Sequence, residues 1–268
     1  MQLICPICRE NLAKENTCYR CGRGHSFDIA RQGYVNLLPV QQKRSLNPGD
    51  TAQQVAGRRA FLEGDFYEPI AQALCALAVE NGCAGPILDV GCGEGYYSTR
   101  LAQALGTELT GFDISKDAVR YAAGRHKNYT WLCASAAHIP VADGSVGLVT
   151  SLFSLTMEKE FARVLRPGGY YIQVIAAEDH LLGLKSIIYP QLHRKEKETA
   201  AALEGFRLVK SLPVSFTFTV EGQQVQNLLN MTPHVYRISK EGAERLRNTQ
   251  TLTDRASCIL NLFTLEQI

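Results

Sequence analysis

Apolar residues Ile70, Ala73, Leu74, Leu77 and Ala78 recur at i, i+3, i+4, i+7 and i+8, which predicts an amphipathic helix over 67–81 with Gly82 as its stop. Residues 51–63 read as a helix before it. From Pro86 onward the pattern becomes regular: short β-rich runs at 87–90, 108–114, 129–134 and 146–153 alternate with helical stretches at 96–105, closed by Gly106, and after Ser115. A helix over 157–165 should stop at "RPGG", where Pro167 and the two glycines precede a strand at 170–176. Residues 180–200 read as a charged helix, and 207–220 ("RLVKSLPVSFTFTV") alternates as a late strand pair would. Strands separated by amphipathic helices predict the α/β class, a parallel sheet with helices on both faces.

The first 37 residues break this pattern. They have hairpin-and-knuckle character, and the polar, Pro- and Gly-containing stretch 38–50 reads as a linker to a main domain over 51–268. At 268 residues, one large domain plus a small module is the expected organisation. No apolar run is long enough to cross a bilayer and no export signal is evident, so the sequence reads as soluble and cytoplasmic. In that setting nine cysteines, four of them within the first 21 residues, point to metal binding and not to disulfides. The net charge of +2 conceals an asymmetry: residues 1–59 carry nine Lys and Arg against four acids, so the remainder is negative. A basic end is where a polyanion would be met, although such residues also serve simply to solubilise a small module.

The chemistry concentrates in "ILDVGCGEGYYS". A strand ending in Asp89, followed by Gly91-x-Gly93-x-Gly95 and a helix, turns backbone N–H groups and a positive helix end toward the sheet's C-terminal edge. The turn is one residue shorter than the pyrophosphate-binding G-x-G-x-x-G, and it contains the acid Glu94. Such a turn suits a ligand without phosphate and with a cationic end, which describes S-adenosylmethionine. Asp113, at the end of the next strand, stands where a carboxylate accepts both ribose hydroxyls. Cys92 within the turn reads as a packing residue and not as a nucleophile.

"ILDVGCGEGYYS", "GFDIS", "CASAAHIPVADGSVGLV" and "FARVLRPGGYYIQVI" resemble motifs of class I S-adenosylmethionine-dependent methyltransferases across residues 86–177. The resemblance implies a Rossmann-like, mostly parallel seven-stranded sheet, with cofactor contacts from Asp89, Gly91, Gly93, Glu94, Gly95, Asp113, Ile114, Ser135 and Ala136. Two positions depart from the pattern: Ser135 and Gly147 stand where acids often occur.

Cys5-x2-Cys8 forms a metal knuckle. By spacing, either Cys18-x2-Cys21 completes a four-cysteine site or Cys21-x3-His25 contributes to a three-cysteine, one-histidine site, the first being slightly favoured. "CPIC", "CGRGHSFDIARQGYVNLLP", "NPGD", "RRAFLE", "YEPI" and "MTP", taken with the methyltransferase motifs, resemble the RlmA family of bacterial 23S ribosomal RNA guanine-N1 methyltransferases over most of the chain. This resemblance implies Zn²⁺ on Cys5, Cys8, Cys21 and His25, cofactor contacts also at Tyr67 and His180, a ribosomal RNA hairpin loop as substrate, no membrane partner, and dimers as a common state.

Guanine N1 must lose its proton as the methyl bond forms. The candidate acceptors are His180 and Asp179, with Glu178 beside them, although the two acids would more plainly cap the following helix. Because N1 lies on the Watson–Crick edge, the target must be looped or flipped out. Tyr19, Phe27 and Tyr34 of the basic module are then candidates for base stacking. Two competing readings remain: a methyltransferase acting on a small molecule such as a quinone precursor, and a zinc-ribbon RNA-binding adaptor with a decayed catalytic domain.

Overall fold

The computed structural model describes residues 1–42, 48–192 and 202–266. The chain opens with an antiparallel meander of β1 (Leu12–Lys14), β2 (Cys18–Cys21) and β3 (Ser26–Asp28). β4 (Val35–Asn36) then leaves the meander. Of the expected linker over 38–50, residues 43–47 lie outside the described residues.

Thr51 opens α1 (Ala52–Leu62) with a capping box: its hydroxyl accepts from the Gln54 N–H while the Gln54 side chain accepts from the Thr51 N–H. α2 (Glu68–Glu80) follows, with Pro69 in its first turn, where a missing N–H costs nothing. The alternating region then runs β5 (Ile87–Val90), α3 (Tyr96–Leu105), β6 (Leu109–Asp113), α4 (Lys116–Arg125), β7 (Thr130–Cys133), β8 (Val146–Leu152), α5 (Glu158–Val164), β9 (Leu165–Ala176) and α6 (Leu182–Ile188). The chain closes with β10 (Phe206–Glu221), α7 (Gln223–Asn230), α8 (Lys240–Arg247) and β11 (Thr251–Leu265).

The sheet order is β10-β11-β9-β8-β5-β6-β7-β4, parallel from β9 to β4 and antiparallel across β9, β11 and β10. Seven of these strands follow residue 50, as the resemblance implied, and β4 adds an eighth from the N-terminal segment. Successive strand residues face opposite sides. Ile87, Trp131, Leu148 and Ile172 therefore pack with α2, while Leu88, Leu132, Val149 and Tyr171 pack with Phe161 and Val164 of α5.

Four expectations change. Residues 207–220 are not a strand pair but most of one 16-residue strand, whose partner is β11, with Pro213 opposite Ile259. The "RPGG" segment does not separate helix from strand: α5 ends at Val164, and residues 166–169 bulge out of β9 between the pairs Leu165–Val146 and Tyr170–Leu148. Of the helix expected over 180–200, the described residues form α6, which ends at Ile188, while 193–200 lie outside the described residues. Glu178 and Asp179 do not cap that helix either. Asp254 of β11 accepts from the Gly183 and Leu184 N–H groups at 2.9 and 2.7 Å, and Asp179 faces Arg255 at 3.8 Å.

Candidate cofactor cleft and metal centre

The turn after β5 can be built only from glycine. Gly91, Gly93 and Gly95 all have positive φ, and a Cβ on Gly95 would meet the Trp131 ring at 2.6 Å. Across the turn Asp113 is held at the end of β6, where its carboxylate accepts from the Gly93 N–H at 3.1 Å and the Ser115 N–H at 2.8 Å. Burial raises its pKa while these two N–H groups oppose the shift. Asp89 is spent internally: Ser98 donates to one carboxylate oxygen and Thr150 to the other, the latter at 2.6 Å, and burial pushes its pKa up to about 6. It braces β5, α3 and β8 around the turn.

Glu94 is only 6% exposed, and its Oε2 is buried without a hydrogen-bond partner among the described residues. An unpaired buried carboxylate is costly, so burial pushes its pKa up to about 7, against the pull of Arg58. Glu94 and Tyr96 line a cavity of about 370 Å³ together with Arg59, Arg100 and Arg125.

Two residues not anticipated from the sequence complete this wall. Arg58 of α1 pairs with Asp50 at 2.5 Å and lies in the combined field of Asp50, Glu94 and Asp113. Its guanidinium stands 3.6 Å from where a Cβ on Gly93 would be. The strap 48–51 is seated on the same spot, since the Ser115 hydroxyl donates to the Asp50 carbonyl at 2.7 Å and Gly49 packs against Ile114 and Ser115. Ser135 and Ala136 follow β7 at the same sheet edge, with the Ser135 hydroxyl accepting from the Ala137 N–H at 3.3 Å. Cys92 is buried in the core, as expected of a packing residue.

Tyr67 and His180 meet although they are 113 residues apart. Tyr67 is 2% exposed, its ring edge-on to Phe61, Phe216 and Phe218, and its hydroxyl is 3.5 Å from His180 Nε2. The Ser257 N–H donates to His180 Nδ1 at 3.1 Å. A neutral imidazole accepting at Nδ1 carries its proton on Nε2, facing Tyr67. Both ring nitrogens of His180 are thus engaged with the protein.

In the meander, the ligand atoms of Cys5, Cys8, Cys21 and His25 all lie within 4.8 Å of one another. Cys8 and Cys21 sulfurs are 3.6 Å apart, and His25 Nδ1 is 3.6 Å from Cys5 and 3.4 Å from Cys21. Tetrahedral zinc with ordinary bond lengths gives edges of roughly 3.8 Å for S–S and 3.6 Å for S–N, so the donor set fits Zn²⁺. The four-cysteine alternative is not what forms. Cys18 and Cys21 sit at opposite ends of β2, three residues apart, and so face opposite sides; Cys18 Sγ turns to Glu15 at 3.3 Å. Of the aromatic candidates for base stacking, Tyr34 is buried in the core, and Tyr19 and Phe27 pack partly buried beside the cysteines.

Comparison with known proteins follows this division. Residues 3–46 match the family model described as "RlmA, N-terminal", and 87–169 match "Methyltransferase domain". The chain is 31% identical over 265 residues to "Putative 23S rRNA (guanine-N(1)-)-methyltransferase YxjB" of Bacillus subtilis, covering 92% of this chain and 91% of that one. It is 35% identical over 187 residues to the 23S rRNA (guanine(748)-N(1))-methyltransferase of Streptomyces fradiae, covering 68% and 66%. Similarity to a demethylmenaquinone methyltransferase of Bacillus licheniformis, 31% over 114 residues, spans 38% of this chain and 49% of that one.

Proposed function

The chain belongs to the RlmA family of 23S ribosomal RNA guanine-N1 methyltransferases, and on that premise we propose that it methylates N1 of a guanine in a hairpin loop of 23S ribosomal RNA. The observation that carries the reading is the meeting, in one molecule, of a zinc-type donor cluster with a glycine turn whose buried acid lacks a partner. The likeness to a quinone methyltransferase spans 38% of this chain and leaves most of it unaccounted for.

When bound, S-adenosylmethionine supplies the electrophilic methyl group. Asp113 would accept the ribose hydroxyls through lone pairs that its two N–H donors leave open. Glu94 would receive the α-ammonium, which provides the buried Oε2 with its missing partner. Arg58 is placed to meet the α-carboxylate, and Gly91, Gly93 and Gly95 let the chain approach closely. Ile114, Ser135 and Ala136 would border the adenine, and Tyr67 and His180 would close the opposite side. Alignment of acceptor, methyl and sulfur is the main catalytic demand of such a transfer. Both ring nitrogens of His180 are held by Ser257 and Tyr67, so Asp179 is the stronger candidate for the proton acceptor. The zinc cluster would hold the meander rigid, and we take residues 1–37 as the RNA-recognition module, 38–50 as the linker and 51–268 as the catalytic domain.

Among the described residues no helix is long and apolar enough to span a membrane. A ribosomal RNA substrate would place the reaction in the cytoplasm; the homodimer belongs to the same proposal and is checked by light scattering. The decisive experiment supplies tritiated methyl donor and naked ribosomal RNA, then maps the primer-extension stop left by N1-methylguanine. Label in RNA with a stop at a loop guanine supports the reading; label only in small molecules, or none, rejects it.

A further inference from the structure

β8 ends at Leu152, and the next residue, Phe153, has φ 52°, the left-handed region that a bulky L-residue enters only at a cost. Burial does not offset that cost, because Phe153 remains 43% exposed and Leu155 beside it 68% exposed. The conformation is pinned by the Phe153 N–H, which donates to the Val174 carbonyl at 2.8 Å. The position lies at the edge where open α/β sheets bind their ligands. Phe153 follows a strand adjacent to β5 at the sheet's C-terminal edge, and Ser154 rests directly on Gly91.

The neighbouring ring is oriented to match. His180 lies nearly parallel to Phe153, with centroids 6.0 Å apart and planes at 28°. Its two nitrogens are held by the Ser257 N–H and by Tyr67, which fixes the plane of the ring that lies beside Phe153. A strained, partly exposed aromatic backed by a fixed second ring offers a flat apolar surface, which suits a planar heteroaromatic ring better than a sugar or a chain.

Resting on the reading that the substrate is a looped-out guanine, we propose that Phe153 is the residue on which that base stacks, with His180 positioning it from behind. The left-handed backbone fixes the direction in which the phenyl ring leaves the sheet edge beside Gly91. None of the base-stacking candidates drawn from the basic module occupies this position.

The test uses the full-length protein and a hairpin RNA carrying the target guanine. Phe153→Ala is expected to raise KM or lower kcat for the RNA by about ten-fold or more, the scale of one base–aromatic stack, with S-adenosylmethionine affinity unchanged by calorimetry. Phe153→Trp should restore the kinetics, and its emission should be quenched by the hairpin but not by one abasic at the target. Phe153→Gly, free to adopt positive φ, should keep or raise Tm while methylation falls. Unchanged RNA kinetics in the Ala variant, equal losses toward donor and RNA, or quenching by the abasic hairpin overturns the proposal. If the Ala variant does not fold, the quenching decides. A wild-type protein that binds the donor but ignores ribosomal RNA defeats the underlying reading and not this inference.

Discussion

At the residue scale the cofactor wall is an arrangement of charges, and its consequences can be measured one group at a time. Burial raises the Glu94 pKa from 4.5 to about 7. Because the folded value lies above the unfolded one, the stability linked to this group is full below about pH 4.5 and is lost as pH rises through 7. Glu94→Gln should therefore raise the Tm of the ligand-free protein at pH 8 and change it little at pH 5; equal effects at both would refute a buried ionising carboxylate. The same ionised form receives the ammonium, so donor affinity in the wild type should tighten from pH 6 to 8, and Glu94→Gln should bind weakly with a flat profile. Arg58→Ala should weaken S-adenosylmethionine by about ten- to a hundred-fold, the worth of a charged hydrogen bond, while leaving its decarboxylated analogue within about two-fold. Equal losses for both would mean that Arg58 only supports the strap. Glu94 was legible because it lies within the glycine turn, and Asp113 because it ends the next predicted strand. Arg58 was not, since a helical stretch does not reveal which arginine of "RRAFLE" faces a turn more than 30 residues away.

The elements explain the departure at Gly147 and the metal set. A side chain at position 147 would collide with the Ala84 carbonyl, with Gly85 Cα at 3.0 Å, so this glycine reflects close packing and not decay of an active site. Gly147→Ala should lower Tm by several degrees without changing zinc content; an unchanged Tm would mean that the 84–85 segment yields freely. Likewise, the choice between Cys18 and His25 rests on β2 being a strand. In a knuckle, cysteines three apart converge, whereas along a strand they diverge. Cys18→Ser should retain one tightly held zinc by metal analysis under chelator competition, and His25→Ala should lose it. The opposite pattern would overturn the assigned site. The strand at 207–220 was misread as a pair because Pro213 suggests a break, yet β10 lies at the sheet edge, where a proline is tolerated within a strand.

For the whole molecule, the N-terminal segment is built into the methyltransferase sheet. β4 extends the sheet at β7, the Ile4 N–H donates to the Pro140 carbonyl at 3.0 Å, and Leu3, Cys5, Leu12, Cys21 and Val35 share one core with Leu88, Leu132 and Val149. Deleting residues 1–37 would therefore remove sheet and core together, and cannot separate RNA from small-molecule activity. Chelating the metal should lower the Tm of one cooperative transition; calorimetry showing an early melt separate from an unaltered main peak would contradict the shared core. RNA affinity should fall linearly in log–log plots against salt if the basic end grips phosphates. The sequence by itself determined the alternating core, the glycine turn with its two acids, and the cysteine knuckle, because each rests on local spacing. Spacing left the fourth metal ligand open, and the cluster agrees with the histidine that the resemblance implied; the arginine over the turn, the partner of β10, the cap of α6 and the exposed ring of Phe153 were decided only by the tertiary structure. These depend on which faces and edges meet across the sheet, and residues far apart in sequence settle that by packing.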